Sequence, residues 1–314
     1  MKKILVTGGA GFIGSNLIES LLERDYQVIC LDNLATGFTK NIDQFTDNKY
    51  FEFVEGDILD YPLLLELTQG VHAVSHQAAL GSVPRSIKDP LKTNKVNIEG
   101  TLNVFKACVD NKVQRVVYAA SSSTYGDSIK LPKKEDEIGK PLSPYAVTKY
   151  VNELYADVFQ RVYGLNTIGL RYFNVFGPKQ DPNGSYAAVI PLFIKSILSG
   201  NPPVINGDGN HSRDFTFVAN AVQANIKSLE APIDNINEVY NIACGQRTTL
   251  NELVDYINEI AGTNVRAVHK AEREGDIMHS LADISRAKNK LDYLPVYDVK
   301  KGLSLAIDWY KNNR

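Results

Sequence analysis

Lys3-Ile-Leu-Val-Thr7 followed at once by Gly8-Gly9-Ala10-Gly11-Phe12-Ile13-Gly14 is a short apolar strand running into a glycine turn, with an amphipathic pattern from Ser15 to Arg24 behind it. Strand, glycine turn and helix in that order form the opening unit of a parallel α/β sheet. The glycines fit G-x-G-x-x-G from Gly9 and G-x-x-G-x-x-G from Gly8. Such a turn needs glycine because the chain must bend tightly, approach a pyrophosphate closely and pack its helix on the strand. The helix N-terminal amides then hold the phosphates, which makes Gly8, Gly11, Phe12, Ile13 and Gly14 candidate cofactor residues.

Working outward, Gln27-Val-Ile-Cys-Leu-Asp32 reads as a second strand ending in an acid. Asp32 is placed to accept hydrogen bonds from adenosine ribose hydroxyls, with Asn33 beside it, and its charge would repel a 2′-phosphate. No arginine follows closely, so NAD is expected rather than NADP. The alternation continues with a strand over Tyr50 to Val54 and its exit at Asp57-Ile58, a strand over Ala73 to His76 and its exit at Gln77-Ala78-Ala79, a long helix from Pro90 to Asn111, and a strand over Arg115 to Ala120. The expected fold is α/β, a Rossmann-type doubly wound parallel sheet with a smaller mixed α/β substrate-binding domain. The boundary falls between residues 1–175 and 176–314, with later segments free to return to the first part.

Tyr145-Ala-Val-Thr-Lys149 puts a phenol and an ammonium one turn apart on one helix face. Ser143-Pro144 before it reads as an N-cap and a first-turn proline. The helix end and the lysine are both expected to lower the phenol pKa, toward a base that removes an alcohol proton. Upstream, the strand from Arg115 ends in Ser121-Ser122-Ser123.

The glycine run, Asp57-Ile58, the serine cluster and Tyr145/Lys149 resemble the extended short-chain dehydrogenase/reductase superfamily, and within it the UDP-hexose 4-epimerases. The resemblance covers essentially the whole chain. It implies Ser121 as the catalytic serine, Tyr145 as the base and Lys149 as the residue that holds the nicotinamide ribose, with Tyr172 also near the cofactor. Arg171 to Pro178 matches the next strand and crossover. Arg213 in one later segment, and Arg273 with Asp276 in another, resemble the groups that grip the nucleotide diphosphate; Ala187-Ala188-Val189 resembles the stretch along the uracil. Ala219 stands where these families usually carry an aspartate, and Asn220 is expected to cap the following helix instead.

Ser82 lies in Leu80 to Ser86, a segment similar to the branch preferring N-acetylated sugars, and Ser280 stands where glucose-restricted relatives are bulky. Ser122 and Ser123 are then expected to meet an acetamido group and Asn174 the sugar or diphosphate. The implied reaction is NAD-dependent C4 epimerisation of UDP-N-acetylglucosamine, with some activity on UDP-glucose. Arg85 leaves open a C6 carboxylate, hence a UDP-uronate 4-epimerase or a UDP-glucuronate decarboxylase. A 4,6-dehydratase would want an Asp-Glu pair where this chain has Ser122-Ser123. A non-catalytic NAD-sensing protein would have no need of Ser121, Tyr145 and Lys149.

The 314 residues, 44% hydrophobic and 22% charged, fit a globular chain long enough for a large core. A net charge of -2 argues against binding a nucleic-acid backbone, and no apolar run approaches membrane-spanning length. The chain enters its first strand directly, so a cytoplasmic location is expected. Cys30, Cys108 and Cys244 are far apart and lack metal spacing, and they read as buried thiols. His72 and His76, although four apart, lie in a strand pattern, and no metal is expected. Pro132 to Pro144 reads as a polar loop, and a homodimer through the helices beginning near Pro90 and Pro144 is implied by the resemblance.

Overall fold

Seven parallel strands carry the molecule. The computed structural model describes residues 1–184, 187–232, 234, 236–272 and 278–313. The first six strands are β1 (Lys3–Thr7), β2 (Gln27–Asp32), β3 (Phe51–Glu55), β4 (Ala73–His76), β5 (Arg115–Ser121) and β6 (Thr167–Tyr172). Spatially the order is Glu238–Ile242, β6, β5, β4, β1, β2, β3, every neighbouring pair being parallel. The chain winds outward in one direction through β3 and then in the other from β4, so the order reverses between β1 and β4. A crevice opens at such a point, outside the strand carboxyl ends.

Burial follows position in the sheet. All four residues of β4 and all six of β6 are buried, as strands covered on both faces must be. Edge strand β3 is only partly covered. One apolar cluster joins the helix Phe12–Leu22 to the helices Val218–Glu230 and Val299–Asn312 through Leu17, Ala221 and Leu303. A second, on the opposite face, includes Leu5, Val74, Phe105 and Phe159.

Three expectations are corrected in detail. The long helix from Pro90 is three pieces, Pro90–Asn94, a π-type turn Lys95–Glu99, and Gly100–Asp110. Asn97 in the π turn ties the chain leaving β4 to the helix Pro144–Tyr163: its side chain accepts from Leu80 N at 2.8 Å and donates to Leu80 O at 3.3 Å and to Thr148 Oγ1 at 3.1 Å. Such turns often mark functional sites. Asn220 does not cap a helix. It lies buried inside Val218–Glu230 and staples the C-terminal segment, donating to Tyr297 O at 2.7 Å and accepting from Val296 N and Tyr297 N. The polar stretch from Pro132 is more than a surface loop, because Lys133 and Glu135 are buried in it. Lys133 N donates to Leu281 O at 2.7 Å, and Glu135 accepts from Asn241 N at 2.9 Å.

Beyond β6 the regular alternation stops. Short pairs, Val175–Phe176 with Thr216–Phe217, Ser212–Arg213 with Thr248–Thr249, and Val204–Asn206 with Val268–Lys270, lie between helices. Glu238–Ile242 returns to the main sheet beside β6. Cys30 and Cys108 are buried thiols and Cys244 is partly covered.

Candidate active site

The glycine turn closes the carboxyl end of β1. Gly8 has φ +69°, and a Cβ there would lie 2.6 Å from Ala78 N, in the chain leaving β4. A Cβ on Gly14 would lie 2.2 Å from Gly8 O. Gly11 is different: a Cβ would meet only Gly8 O, at 3.1 Å, and the residue faces the cleft. Its bare backbone leaves space for a ligand rather than for a neighbouring strand, as a pyrophosphate cradle requires. The helix beginning at Phe12 directs its free first-turn amides to the same place.

Asp32, at the end of β2, accepts from Ala10 N at 3.0 Å and Leu34 N at 2.8 Å, so it fixes the glycine turn as well as facing the cleft. Burial raises its pKa, against those amides and that of Gly11. Asn33 donates to Asp57 at 2.8 Å, bringing the exits of β2 and β3 together. Gln77 accepts from the Tyr172 hydroxyl at 3.2 Å and donates to Asn225 at 3.0 Å; Asn225 donates to Tyr172 at 2.7 Å.

Ser121 ends β5 and Tyr145 opens the helix Pro144–Tyr163, so two elements that leave the same sheet edge bring the two hydroxyls together. Ser143 caps that helix by accepting from Ala146 N at 3.1 Å, and Pro144 occupies its first turn. The Ser121 hydroxyl faces the Tyr145 phenol and favours its anion, and it accepts from Ser123 N at 3.1 Å and Ser123 Oγ at 2.9 Å. The expected lowering of the Tyr145 pKa is absent in the protein alone: burial raises it and Ser121 only partly offsets this. The reason is where the lysine points. Lys149 Nζ lies 6.0 Å from the Tyr145 ring centroid and donates to Ala119 O at 2.7 Å. Burial lowers Lys149 to about 8, with the charge of Glu153 opposing that shift.

One cleft of about 940 Å³ joins these groups. Gly8, Gly11, Phe12, Ile13, Gly14, Asp32, Asn33, Asp57, Ile58, Gln77, Ala78, Ala79 and Tyr172 line it, as do Ser121, Tyr145 and Lys149. So do Ser82, Ser122, Ser123, Asn174, Ala187, Ala188, Arg213 and Ser280. Val189 is not brought there; it starts the helix Val189–Leu198 and packs on the core. Arg273 and Asp276 lie outside the described residues. Arg213 is held by Ser212 O at 3.1 Å and Met278 O at 3.2 Å, and Asn174 donates to Asp214 O at 3.3 Å.

The cleft also takes in Lys92, Lys95, Tyr125, Lys133, Gln180 and Asp181, which were not anticipated. Lys92 and Lys95 had a signal, two cations three apart at the start of a helix leaving the sheet; Lys133 had none, since its burial depends on pairing with residues near 281. Among the described residues there is no cluster of metal-ligating side chains, and no helix is long and apolar enough to cross a membrane.

A reversed-order parallel sheet, a glycine turn with an acid at the next strand end, and a serine, tyrosine and lysine in one cleft define a dinucleotide-dependent enzyme of the extended short-chain dehydrogenase/reductase type. The comparisons with known proteins narrow this. The chain belongs to the NAD dependent epimerase/dehydratase family, whose model matches residues 4–243, and its cofactor is NAD. It is 40% identical over 99% of both chains to a putative UDP-glucose 4-epimerase of Methanocaldococcus jannaschii. Its fold matches a UDP-N-acetylglucosamine 4-epimerase from Methanobrevibacter ruminantium, solved in complex with UDP-N-acetylmuramic acid, with a TM-score of 0.95 and 40% identity over 100% of this chain and 99% of that one. It also matches a UDP-glucuronic acid 4-epimerase from Bacillus cereus, solved with UDP-glucuronic acid and NAD, with a TM-score of 0.92 and 32% identity over 99% and 100%.

Proposed function

We propose that this enzyme, an NAD-dependent isomerase acting at C4 of a UDP-sugar, interconverts UDP-N-acetylglucosamine and UDP-N-acetylgalactosamine, with weaker turnover of UDP-glucose and UDP-galactose. The observation that carries the reading is the Ser121–Tyr145 hydroxyl pair, with Lys149, in the cleft that also holds the glycine turn and Ser280. The relative from Methanobrevibacter ruminantium supports the N-acetylated substrate.

In this mechanism Tyr145 takes the C4 hydroxyl proton, and Ser121, sharing its hydrogen bond, orients the sugar oxygen. Bound NAD supplies the chemistry by accepting the C4 hydride and giving it back. Lys149 holds the nicotinamide ribose, and its charge, added to that of the oxidised ring, favours the phenolate that burial alone disfavours. Asp32 and Asn33 hold the adenosine ribose, Asp57 and Ile58 the adenine edge, and Gln77, Ala78, Ala79 and Tyr172 the nicotinamide side. Arg213 and Arg273 keep the diphosphate in place, and Ala187 and Ala188 lie along the uracil. The 4-keto sugar turns over while tethered, and reduction from the other face gives the epimer. Fixing the nucleotide keeps the intermediate from leaving while the ring rotates. Ser280 leaves room for the C2 acetamido group, which Ser122 and Ser123 bond; Ser82 and Asn174 orient the sugar. Residues 1–175 thus mainly hold NAD and 176–314 mainly the UDP-sugar.

Arg85, which lines the cleft, favours a second reading in which a C6 carboxylate is accepted and the substrate is a UDP-uronate. Incubating the enzyme with UDP-N-acetylglucosamine, UDP-glucose and UDP-glucuronate in parallel separates the two. Formation of UDP-N-acetylgalactosamine, lost about 10–200-fold relative to UDP-galactose formation in Ser280→Tyr, is the expected result. Conversion of UDP-glucuronate alone would refute the acetamido pocket.

As to assembly, Val147, Leu154, Val158 and Val162 are exposed apolar residues at helical spacing on Pro144–Tyr163, and Ile87 in the helix Val83–Lys88 and Leu91 in the helix Pro90–Asn94 are exposed as well. A second copy of the chain, packing the same faces about a two-fold axis, is the proposed occupant. A cytoplasmic location accords with a UDP-sugar substrate.

A further inference from the structure

One turn beyond Lys149, on the same helix, stands a carboxylate that the proposed chemistry does not use. Glu153 is buried and accepts two hydrogen bonds from Arg171, from Nε at 2.9 Å and Nη2 at 2.7 Å. The paired side chains are 6% and 4% exposed. Arg171 comes from β6, and its Nη1 donates onward to the Tyr125 hydroxyl at 3.1 Å and to Glu135 O at 2.9 Å. Tyr125 in turn lines the cleft and donates to Asn241 at 2.6 Å.

A fully buried ion pair is a poor device for stability, because apolar residues of the same volume serve as well. Its place in the molecule points to another use. Lys149 is itself buried, and its hydrogen bond to Ala119 O is to a neutral carbonyl. An ammonium in such a position tends to lose its proton unless an anion faces it. The titratable and charged groups around it are Tyr145 and Glu153 on its own helix, His76 from β4, Tyr118 from β5 and Arg171 from β6; of these only Glu153 is a carboxylate.

We infer that Glu153, clamped by Arg171, is a positioning residue that keeps Lys149 charged and turned toward the cleft. The bidentate clamp fixes the carboxylate in one rotamer, so that its field acts on Lys149 without the two side chains joining directly. The same guanidinium braces Tyr125 at the cleft wall. The inference rests on the proposed role of Lys149.

The test is the pH dependence of kcat/KM, with NAD affinity measured calorimetrically over the same range. In Glu153→Gln the alkaline limb of both is expected to move down by about one pH unit, and Glu153→Asp, which keeps the charge, to return it most of the way. Because Glu153→Gln leaves Arg171 buried without its anion, the double variant Glu153→Gln/Arg171→Met, which leaves no orphan charge, carries the test if the single one fails to fold. It is expected to move the limb in the same direction but by less, because losing the Arg171 cation relieves a repulsion on Lys149. A folded variant of either kind that has lost thermal stability but keeps the wild-type limb would overturn the inference, leaving the pair a purely structural one. Lys149→Met separates the two levels: if it leaves kcat intact, the proposed role of Lys149 fails, whereas a large loss there with an unshifted limb in the Glu153 variants sinks only the positioning role.

Discussion

Lys149 Nζ donates to the carbonyl oxygen of Ala119 at 2.7 Å and stands 6.0 Å from the ring centroid of Tyr145. The lysine is therefore not a direct partner of the phenol one turn away on the same helix, because a strand carbonyl takes its ammonium. With a positive ring bound nearby, two cations would face a phenol that burial otherwise keeps protonated.

Tyr145→Phe removes the proton acceptor and keeps the shape. Turnover of UDP-sugar is expected to fall by about 10²–10⁴-fold, while calorimetry finds NAD and UDP affinity close to the parent's. Lys149→Met should lower both turnover and NAD affinity. Retained turnover in Tyr145→Phe would remove the phenol from the mechanism.

Gly8 and Gly11 should fail in different ways. Gly8→Ala puts a Cβ 2.6 Å from Ala78 N at φ +69°, so thermal unfolding is expected to report a loss of about 1–3 kcal/mol. Gly11→Ala meets only Gly8 O at 3.1 Å; its stability should change little while NAD affinity drops, because the methyl enters the cradle. Equal loss of stability in both would mean that Gly11 is there for packing.

His76 sets a pH dependence of stability. It is buried between Thr7 Oγ1 at 2.7 Å and Thr101 Oγ1 at 3.0 Å, and burial, then the charge of Lys149, lowers its pKa to about 3. Between that value and the ordinary histidine pKa near 6.5 the unfolded chain binds the extra proton, so stability rises with pH across this window and is lost on going down through it. The contribution is about 1.4 kcal/mol per pH unit. Urea unfolding at pH 7 and pH 5 should show a smaller difference for His76→Gln than for the parent, and an equal difference would contradict a neutral buried imidazole.

The exposed stripe on Pro144–Tyr163 should be covered in solution. Light scattering is expected to give twice the chain mass for the parent and a monomer for Leu154→Glu/Val158→Glu, with circular dichroism unchanged. A monomeric parent would leave the stripe without its proposed occupant.

Much of the scaffold was legible because it is written in local pattern. The apolar runs of β1, β2, β4 and β5, the glycine turn between Thr7 and Phe12, and the acid ending β2 each announce themselves within a few residues, and Ser121, Tyr145 and Lys149 fall into one cleft as expected. What was not legible depends on partners far along the chain. Lys133 is buried only because its backbone pairs beside Ala282, and Asn220 staples a segment about 76 residues away. The break in the helix after Asn94 follows from Asn97 reaching Leu80 and Thr148, which periodicity cannot report. The Lys149 rotamer was missed for the same reason: spacing on a helix places two side chains on one face but does not say that a strand carbonyl will take the ammonium.

The most direct test of C4 epimerisation is to supply UDP-N-acetylglucosamine deuterated at C4 to the NAD-loaded enzyme in ordinary water and read the product by NMR. UDP-N-acetylgalactosamine with the deuterium still on C4 is the expected product, because in the proposed mechanism the same hydride leaves and returns within one cleft. A C4 epimer carrying solvent hydrogen at that carbon, or no C4 epimer at all, would contradict it.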